Sequence, residues 1–412
     1  MTSYPDFTSY PDFTSPAFLR DHIASILNFY APHARDHEGG FFHHFLDDGT
    51  VYDASTRHLV SSTRFVFNYA SAFLHGGNEQ HRDWAAHGLA YLRSHHQMPP
   101  LRQNLPGHFC WQRSGTDIED ARAMAYGHAF VMLAAAYGVR AEIDGAAELL
   151  DDSWQLMEAL FWDGEHGAYA DERDQSLNIL LPYRGQNANM HAVEALLAAY
   201  ESTRETRYLD RAAIIAGKFT VTMTASTDGQ IWEHYTTDWQ HDWDYNIDKP
   251  DDLFKPWGYQ PGHQVEWAKL ILQLHRHRPE GWHLERACRL FDRAMEKGWD
   301  EVHGGLVYGY APNGDFCDAN KYFWVQAEAI AAAWRLFSVT GSESYRQHYQ
   351  RLWQWSWDHL VDHRHGAWFR ILTRDGQWME PYKSPAGKVD YHTLGACYDI
   401  LDAIAGSWMA GR

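Results

Sequence analysis

A phrase that recurs along the chain most constrains its fold: an acidic residue or histidine, then glycine, an aromatic residue and a turn. The copies are HEGGFFHHFLDDGT at 37–50, WDGEHGAYADERD at 162–174, WDEVHGGLVYGYAPNGD at 299–315 and DHRHGAWFRILTRDG at 362–376. Each has the pattern of a short β-hairpin. The spacing of their glycines indicates a period of roughly 60 to 70 residues with some copies eroded, and a unit of that length holds two helices.

Hydrophobic periodicity and capping residues predict twelve helices between these turns. They lie near residues 16–31, 56–75, 79–96, 117–137, 143–161, 187–201, 206–222, 261–276, 282–298, 321–338, 342–360 and 388–406. Six pairs account for all twelve, so we expect an all-α fold, an (α/α)6 barrel of six helix pairs with short β-hairpins in the connecting loops. An open superhelix of helix pairs is the alternative.

The even-numbered helices contain the small residues, as in HAFVMLAAAYG at 128–138 and NMHAVEALLAAY at 189–200. Because small side chains allow close approach around a crowded axis, we expect these helices to form the inner ring. No internal linker divides the chain, so residues 16–412 are expected to form a single catalytic domain. Residues 1–15, which contain the duplicated TSYPDF, are expected to be a tail.

Composition excludes several classes of partner. The formal net charge of -19, from 35 Lys and Arg against 54 Asp and Glu, opposes binding to a phosphate backbone. The N-terminus lacks the pattern of a secretion signal, and no stretch reaches the ~20 apolar residues of a membrane span. We therefore expect a cytoplasmic protein that binds neither nucleic acid nor membrane. The aromatic content of 15% suits sugar stacking, but a bulky helical core explains any single tryptophan more simply.

Polar residues collect near the N-terminal ends of the even-numbered helices. They are Arg64 in helix 2, Tyr126 and His128 in helix 4, Asn187, His191 and Glu194 in helix 6, His263 and Glu266 in helix 8, Gln326 and Glu328 in helix 10, and His392 in helix 12. Helix N-termini present free N–H groups and the positive end of the helix dipole, both of which suit a developing oxyanion. One end of the barrel is therefore the expected site.

Two histidine–glutamate pairs, His191 with Glu194 and His263 with Glu266, share the i, i+3 spacing that places both side chains on one helical face. Each glutamate can orient its histidine or bind a hydroxyl group. Polar groups at a bundle end can also simply satisfy one another. A divalent metal is a further alternative, but the dimetal helical motif runs Glu-x-x-His, so we expect no metal.

The connection DWQHDWDYNIDKPDDLFKPWGYQ at 238–260 is long, acidic and aromatic, and it directly precedes His263. Loops of this length are often lids or binding loops, although a solvated connection has the same pattern. Its position next to the expected site favours a lid.

Three segments, taken together, resemble one family. NANMHAVEA at 187–195, GHQVEW at 262–267 and KVDYH at 388–392, with Arg64 upstream, are similar to the N-acylglucosamine 2-epimerase superfamily over nearly the whole chain. The resemblance implies an (α/α)6 barrel and an active site that needs no metal or other cofactor. The ending KVDYH is most similar to the branch of aldose–ketose isomerases that includes bacterial D-mannose isomerases.

The resemblance also implies roles for the site residues. His263 and His392 are the expected catalytic acid and base. Arg64, Tyr126, Asn187, His191, Glu194, Glu266, Trp324 and Gln326 are the expected substrate-binding set. Within that set, His191 and Arg64 bind and polarise the substrate, while Glu194 and Glu266 support the histidines.

The expected reaction interconverts D-mannose and D-fructose, with D-lyxose and D-xylulose as a further pair, through a cis-enediolate. Imidazole suits this chemistry because its reference pKa of ~6.5 lets it exchange protons near neutrality. We expect His392 to move the proton between C2 and C1, but the sequence leaves its role interchangeable with that of His263.

Three alternatives to isomerisation remain open. A sugar 2-epimerase uses the same site and intermediate. A glycoside hydrolase would use two of the carboxylates Glu194, Glu266 and Glu328, and the last alternative is a non-catalytic sugar-binding protein. The monosaccharide is the only expected partner beyond the chain itself, which is expected to be a monomer or a homodimer.

Overall fold

The computed structural model describes residues 10–406, and this part of the chain contains twelve α-helices, as predicted. They are α1 Pro16–Tyr30, α2 Leu59–Leu74, α3 Glu79–Tyr91, α4 Ala125–Arg140, α5 Ala146–Leu160, α6 Gln186–Thr203, α7 Thr206–Gly217, α8 Pro261–His277, α9 Gly281–Gly298, α10 Phe323–Thr340, α11 Glu343–His359 and α12 Tyr391–Ile404. Short π-helical turns extend α3 over Leu92–His96 and α7 over Lys218–Thr222, and a 3-10 turn follows at Met223–Ser226.

The six even-numbered helices form a closed inner ring. Each packs against the next even-numbered helix, and α12 returns to α2. The odd-numbered helices lie outside, α3, α5, α7, α9 and α11 each against the helix before it and α1 against α12. The fold is therefore the predicted (α/α)6 barrel, and the contact of α12 with α2 excludes the open superhelix.

The pattern of buried residues differs between inner and outer helices, as their sequences predict. Helix α2 is buried without interruption over residues 59–72, because it faces the barrel interior on one side and outer helices on the other. Outer helix α9 instead buries a stripe, Ala287, Leu290, Phe291, Ala294 and Met295, whose spacing of three and four residues marks one face of a helix.

The repeated phrase forms the predicted hairpins. The antiparallel pairs Arg35–Phe41, Trp299–Leu306 and Val361–Trp368, and the pair Trp162–Tyr169, each close one copy. Gly40, Gly167, Gly305 and Gly366 all have φ between 67° and 89°, in the left-handed region that side chains with a Cβ rarely adopt. The glycine that recurs in the sequence is therefore required by the backbone conformation of these turns.

Sixteen strands of two to four residues lie among the described residues. They are β1 His44–Leu46, β2 Val51–Asp53, β3 Thr56–His58, β4 Gln112–Ser114, β5 Asp117–Asp120, β6 Ala123–Met124, β7 Trp162–Asp163, β8 Ala168–Tyr169, β9 Glu172–Arg173, β10 Arg184–Gly185, β11 His234–Tyr235, β12 Gly309–Tyr310, β13 Phe316–Asp318, β14 Lys321–Tyr322, β15 Ile371–Leu372 and β16 Tyr382–Ser384. All pairs are antiparallel. The sheet β16-β1-β2 joins the two ends of the chain, with Phe45 opposite Ser384.

The strands fix one end of the inner ring. β3, β6, β10 and β14 each end at the residue before an inner helix begins, α2, α4, α6 and α10 respectively. Because each of these strands is paired with another, the N-terminal ends of four inner helices are held by backbone hydrogen bonds. This end of the barrel is the one where the polar residues collect.

Two predicted boundaries are wrong. Helix 4 begins at residue 125, because residues 117–120 pair with β4 as strand β5 and residues 123–124 form β6. Helix 12 begins at residue 391, after Val389 and Asp390, which both have positive φ and so break the helical geometry.

The N-terminal segment is described from residue 10, so most of the duplicated TSYPDF lies outside the described residues. Residues 10–15, the described part of the predicted tail, contact the barrel. Phe13 is buried and its ring stacks on Trp353 of α11 at a centroid distance of 5.4 Å, and the Tyr349 hydroxyl donates to the Phe13 carbonyl at 2.5 Å. Within residues 10–406, no helix is both long and apolar enough to span a bilayer.

Candidate active site

A cavity opens at the end of the barrel where the inner helices begin. It encloses about 670 Å³ between protein atoms, including the part open to solvent. All six inner helices contribute predicted residues to its wall: Arg64, Tyr126, Asn187, His191, His263, Glu266, Trp324 and His392. Eight of the ten predicted site residues thus line one cavity, although they are spread over more than 300 residues of sequence.

His263, in the first turn of α8, is held by a buried carboxylate. Its Nδ1 lies 2.9 Å from both oxygens of Glu233. Because a carboxylate only accepts hydrogen bonds, Nδ1 carries the hydrogen and Nε2 keeps its lone pair. Gln186 fixes Glu233 with a 2.8 Å hydrogen bond, and Trp267 donates to Gln186 in turn. The ring of His263 therefore has a fixed orientation and a basic nitrogen that is not used by Glu233.

His392, in the first turn of α12, has the same arrangement with a different glutamate. Its Nδ1 donates to Glu328 on α10 at 2.7 Å, and its Nε2 lies 3.3 Å from Nη2 of Arg64. Burial lowers the pKa of His392 to about 4, although the hydrogen bond that Nδ1 donates to Glu328 opposes this shift. At neutral pH this imidazole is uncharged and can accept a proton at Nε2.

His191 on α6 completes a set of three glutamate-bound histidines. Its Nδ1 donates to Glu194 at 2.9 Å, and Glu194 also accepts a hydrogen bond from the Tyr391 hydroxyl. Burial lowers the pKa of His191, against the raising effect of Glu194. Its ring centroid lies 6.5 Å from that of His392, so the two histidines face the same part of the cavity.

Arg64 is the cation placed to stabilise negative charge next to these histidines. Its guanidinium lies 4.6 Å from the ring centroids of both Phe130 and Tyr391, and it donates to the Gly387 carbonyl. Its Nη2 is 3.3 Å from the Tyr126 hydroxyl. Aromatic faces and a carbonyl fix the guanidinium without neutralising it, so its charge remains available to an oxyanion.

Apolar surfaces complete the wall. The Trp324 ring lies between the two predicted catalytic histidines, with centroids 5.0 Å from His263 and 5.6 Å from His392. From the predicted lid, Phe254 enters the wall and its ring stacks with that of His58 at 5.7 Å. The Asn187 side chain donates to the Phe254 carbonyl at 3.3 Å. The loop thus borders the cavity, and its movement as a lid stays a prediction.

Two predicted site roles differ from the structure. Gln326 lies outside the cavity wall, since its side chain makes two hydrogen bonds to the Leu306 backbone, at 2.9 and 2.8 Å. Glu266 does not support His263, which pairs with Glu233 instead. On α8 the Glu266 carboxylate faces the barrel axis, 3.7 Å from Nδ1 of His191. The i, i+3 spacing brought Glu194 to His191 but did not bring Glu266 to His263.

Several site residues were either not predicted from the sequence or were given a different role there. Glu233 lies in the connection between α7 and α8, outside any motif, and its role follows only from its contact with His263. Arg370 and Lys388 add cations to the cavity wall, and Tyr308 and Tyr322 add ring surfaces. Glu328 was among the polar residues predicted in helix 10. Its contact with His392 could not be predicted, because that contact arises from the packing of α10 on α12.

Glu266 is a buried carboxyl group whose oxygens have no hydrogen-bond partner among the described residues. Its pKa is raised well above the usual range, first by burial and then by the negative charges of Glu328 and Glu194. These effects favour the protonated form of Glu266, which can donate a hydrogen bond toward the cavity.

This charge state gives a testable difference between two glutamates. Glu266→Gln is expected to keep the melting temperature at pH 7 within about 3 °C of that of the unchanged protein, because an amide replaces a protonated carboxyl of similar shape. Glu328→Gln, which removes a buried charge from an ion pair, is expected to lower it by more than about 5 °C. Differential scanning calorimetry measures both, and equal losses would show that Glu266 is ionised.

In two groups of side chains, the possible ligand atoms lie close enough together to hold a metal ion. His191, Glu194 and Glu266 form one group, and Glu266, Glu328 and His392 the other, with ligand atoms within 4.8 Å of one another. Most of their donor atoms are already engaged, since Nδ1 of His191 and Nδ1 of His392 each donate to a glutamate and the Lys269 ammonium lies 2.5 Å from Glu328. The oxygens of Glu266 are the exception. An ion would have to displace these contacts, so the donor set does not fit a metal centre.

A closed ring of six helix pairs, with an arginine and three glutamate-held histidines at one end, defines a barrel protein whose cavity is lined by acid–base side chains. The sequence profile of the family described as N-acylglucosamine 2-epimerase (GlcNAc 2-epimerase) matches residues 40–396. The chain belongs to this family.

Individual relatives refine the comparison. The chain is 48% identical to the D-mannose isomerase of Marinomonas mediterranea, over 98% of this chain and 99% of that protein. A crystal structure of a D-mannose isomerase superposes with a TM-score of 0.92 at 49% identity, covering 96% of this chain and all of the other. The cellobiose 2-epimerase of Eubacterium cellulosolvens is 24% identical, over 91% of this chain and 95% of that protein.

Proposed function

We propose that this chain is an aldose–ketose isomerase that interconverts D-mannose and D-fructose. The observation that carries the proposal is the pair His392 and Arg64, a neutral imidazole and a fixed guanidinium 3.3 Å apart in one cavity. The 48% identity to a D-mannose isomerase over nearly the full chain supports the choice of sugar. A single domain over residues 16–412, the absence of a cofactor, and a monomer or homodimer remain predictions.

The reaction begins with ring opening, because the hydrogen on C2 of mannose becomes acidic only next to an open-chain aldehyde. Nε2 of His263 takes the proton of the O1 hydroxyl, and a protonated group or water returns one to the ring oxygen. The Trp324 face between the two histidines supports the sugar as it changes shape. Glu233 stabilises the imidazolium formed on His263.

Proton transfer from carbon follows. Nε2 of His392 removes the C2 proton, and the electron pair moves to O1 to give a cis-enediolate. Arg64 stabilises this oxyanion, and Glu328 stabilises the imidazolium of His392. His392 then returns the proton to C1, while the proton of the O2 hydroxyl passes to the O1 oxyanion, with Nε2 of His263 as its carrier, as the ketone forms. The product is D-fructose, and no atom is gained or lost.

The contacts of Arg64 favour His392 over His263 as the base for carbon. A base works best when the charge it creates is stabilised next to it, and Nη2 of Arg64 lies beside Nε2 of His392. Return of the proton to the opposite face of C2 would give glucose, so 2-epimerisation is the second candidate. The 24% identity to a cellobiose 2-epimerase is consistent with that outcome but is more distant.

The hydrogen bonds that the carboxylates accept disfavour a glycoside hydrolase. Glu194 and Glu328 each accept a hydrogen bond from a histidine, and both are held behind the ring that faces the cavity. Neither is free to act as a nucleophile on an anomeric carbon.

The proposal is tested by incubating the protein with EDTA and D-mannose in D2O and following the products by NMR. We expect D-fructose, with deuterium at C1 in the fraction of turnovers that exchange with solvent. Glucose without fructose would identify an epimerase, and no change in mannose would reject the substrate. The His392→Ala variant is the control for a contaminating isomerase.

A further inference from the structure

Lys269 is a buried lysine on α8, one turn beyond Glu266 and on the side of the histidines away from the cavity. It is only 6% exposed. Its Nζ lies 2.5 Å from Oε2 of Glu328 and 3.6 Å from Oδ2 of Asp399. A buried ammonium is costly without carboxylate partners, and Lys269 has two. One of them is the glutamate that holds His392.

These contacts form a row of alternating charge behind the site. It runs from His392 to Glu328, Lys269, Asp399 and Arg335, across the adjacent helices α12, α10 and α8. His392 and Asp399 are seven residues apart on α12, as are Glu328 and Arg335 on α10, so each pair lies on one helical face. The row therefore connects a cavity histidine to cations that do not touch the cavity.

The charge of Glu328 depends on this row. Burial alone would raise the pKa of Glu328, but the Lys269 ammonium and the hydrogen bond from His392 outweigh it and lower the pKa to about 2. Lys269 is thus the principal positive charge that keeps Glu328 ionised.

We propose that Lys269 is a positioning residue for proton transfer: its ammonium keeps Glu328 an ionised acceptor for Nδ1–H of His392, which leaves Nε2 of His392 as the base that faces the cavity. The expected effect of Lys269 on turnover rests on the proposed function. The expected effect of Lys269 on the tautomer of His392 does not. Lys269 itself does not contact the cavity wall.

The titratable and charged groups that face this pair come from every inner helix around it. They are Arg64 on α2, Tyr126 and Tyr137 on α4, His191 and Glu194 on α6, His263, Glu266 and Lys269 on α8, Glu328 and Arg335 on α10, and Tyr391, His392 and Asp399 on α12. Removing the Lys269 charge from this set makes the Glu328–His392 pair take up a proton at higher pH, because a positive charge that repelled the proton is lost.

The kinetic test compares Lys269→Met with Lys269→Arg in the full-length protein. For Lys269→Met we expect the acidic limb of the kcat/KM profile for D-mannose to move up by about one to two pH units. At pH 7 we expect kcat to fall about 100-fold with little change in KM. Lys269→Arg keeps the charge and is expected to retain kcat within about tenfold and the acidic limb near its original position.

Lys383→Met is the matched control. Lys383 is fully buried and its Nζ lies 2.6 Å from Asp362, so its loss breaks an ion pair of the same kind. We expect the control to lose stability without a shift of the acidic limb. A shift in the control equal to that of Lys269→Met, or an unshifted limb in Lys269→Met, overturns the proposal. If Lys269→Met does not fold, Lys269→Gln takes its place.

A measurement independent of turnover separates this proposal from the proposed function. In 15N-histidine-labelled protein, the two-bond 15N–1H correlations of His392 are expected to show the hydrogen on Nδ1 near neutral pH, and Lys269→Met is expected to show a second species or a protonated ring. An unchanged His392 tautomer in that variant rejects the role of Lys269. If the unchanged protein does not convert D-mannose, but Lys269→Met still shows the expected change in the His392 tautomer, only the proposed substrate is rejected.

Discussion

His263→Ala and His392→Ala are each expected to lower kcat/KM for D-mannose by about 10³-fold or more while leaving the fold intact. Each variant removes the imidazole that exchanges a proton with the substrate, and neither neighbouring glutamate lines the cavity. Steady-state assay of fructose formation measures the loss, and circular dichroism checks the fold. Near-normal turnover in either variant contradicts the assignment of that histidine.

The matched control is His277→Ala. His277 lies at the other end of α8 from His263, and its Nε2 is 2.8 Å from Glu201, so it is another buried histidine–glutamate pair. We expect its activity to stay within about threefold of that of the unchanged protein, since it contributes nothing to the cavity. A large loss in this control would mean that breaking any such pair inactivates the barrel.

Acid is expected to destabilise the protein steeply well above the pH at which carboxyl groups titrate. Burial lowers the pKa of His22 to about 4, and of His58, His96 and His128 to about 3. In the unfolded chain these groups titrate near ~6.5. The contribution of these histidines to the free energy of unfolding is therefore fully present above pH 6.5 and is lost as the pH falls toward 4. The unfolded state binds protons in this range that the folded state does not bind.

Each such histidine contributes up to about 1.4 kcal/mol per pH unit within that window, so four contribute at most about 5.5 kcal/mol per unit. We expect the melting temperature to fall by roughly 10 °C or more between pH 7 and pH 5. The net charge of -19 acts in the opposite direction, since acid relieves its self-repulsion, and 0.15 M salt screens that effect.

Calorimetry at a series of pH values measures this effect, and His128→Gln is the matched variant. His128 makes hydrogen bonds to the Phe109 and Met124 backbone and does not line the cavity. Removing one titrating group is expected to flatten the pH dependence of the free energy of unfolding by about one proton. A melting temperature that is constant between pH 7 and pH 5 would contradict the burial of these histidines in neutral form.

Much of the fold could be predicted because its signals are local. A stripe of apolar residues at helical spacing marks outer helices such as α9, small residues mark inner helices such as α4 and α6, and a glycine with positive φ marks each copy of the repeated turn. The boundary of α4 could not be predicted. Residues 117–120 adopt a strand only because β4 lies next to them, and a sequence window does not contain that partner.

The sequence by itself determined which residues could do the chemistry: a histidine in the opening turns of three inner helices and an arginine on a fourth. It also determined the His191–Glu194 contact, because i, i+3 spacing is a property of one helix. The tertiary structure alone decided the other two partners. Glu233 lies 30 residues from His263, and Glu328 lies 64 residues from His392. Those contacts exist only when the ring of helix pairs closes, since residues that far apart meet by packing and not by any local preference of the chain.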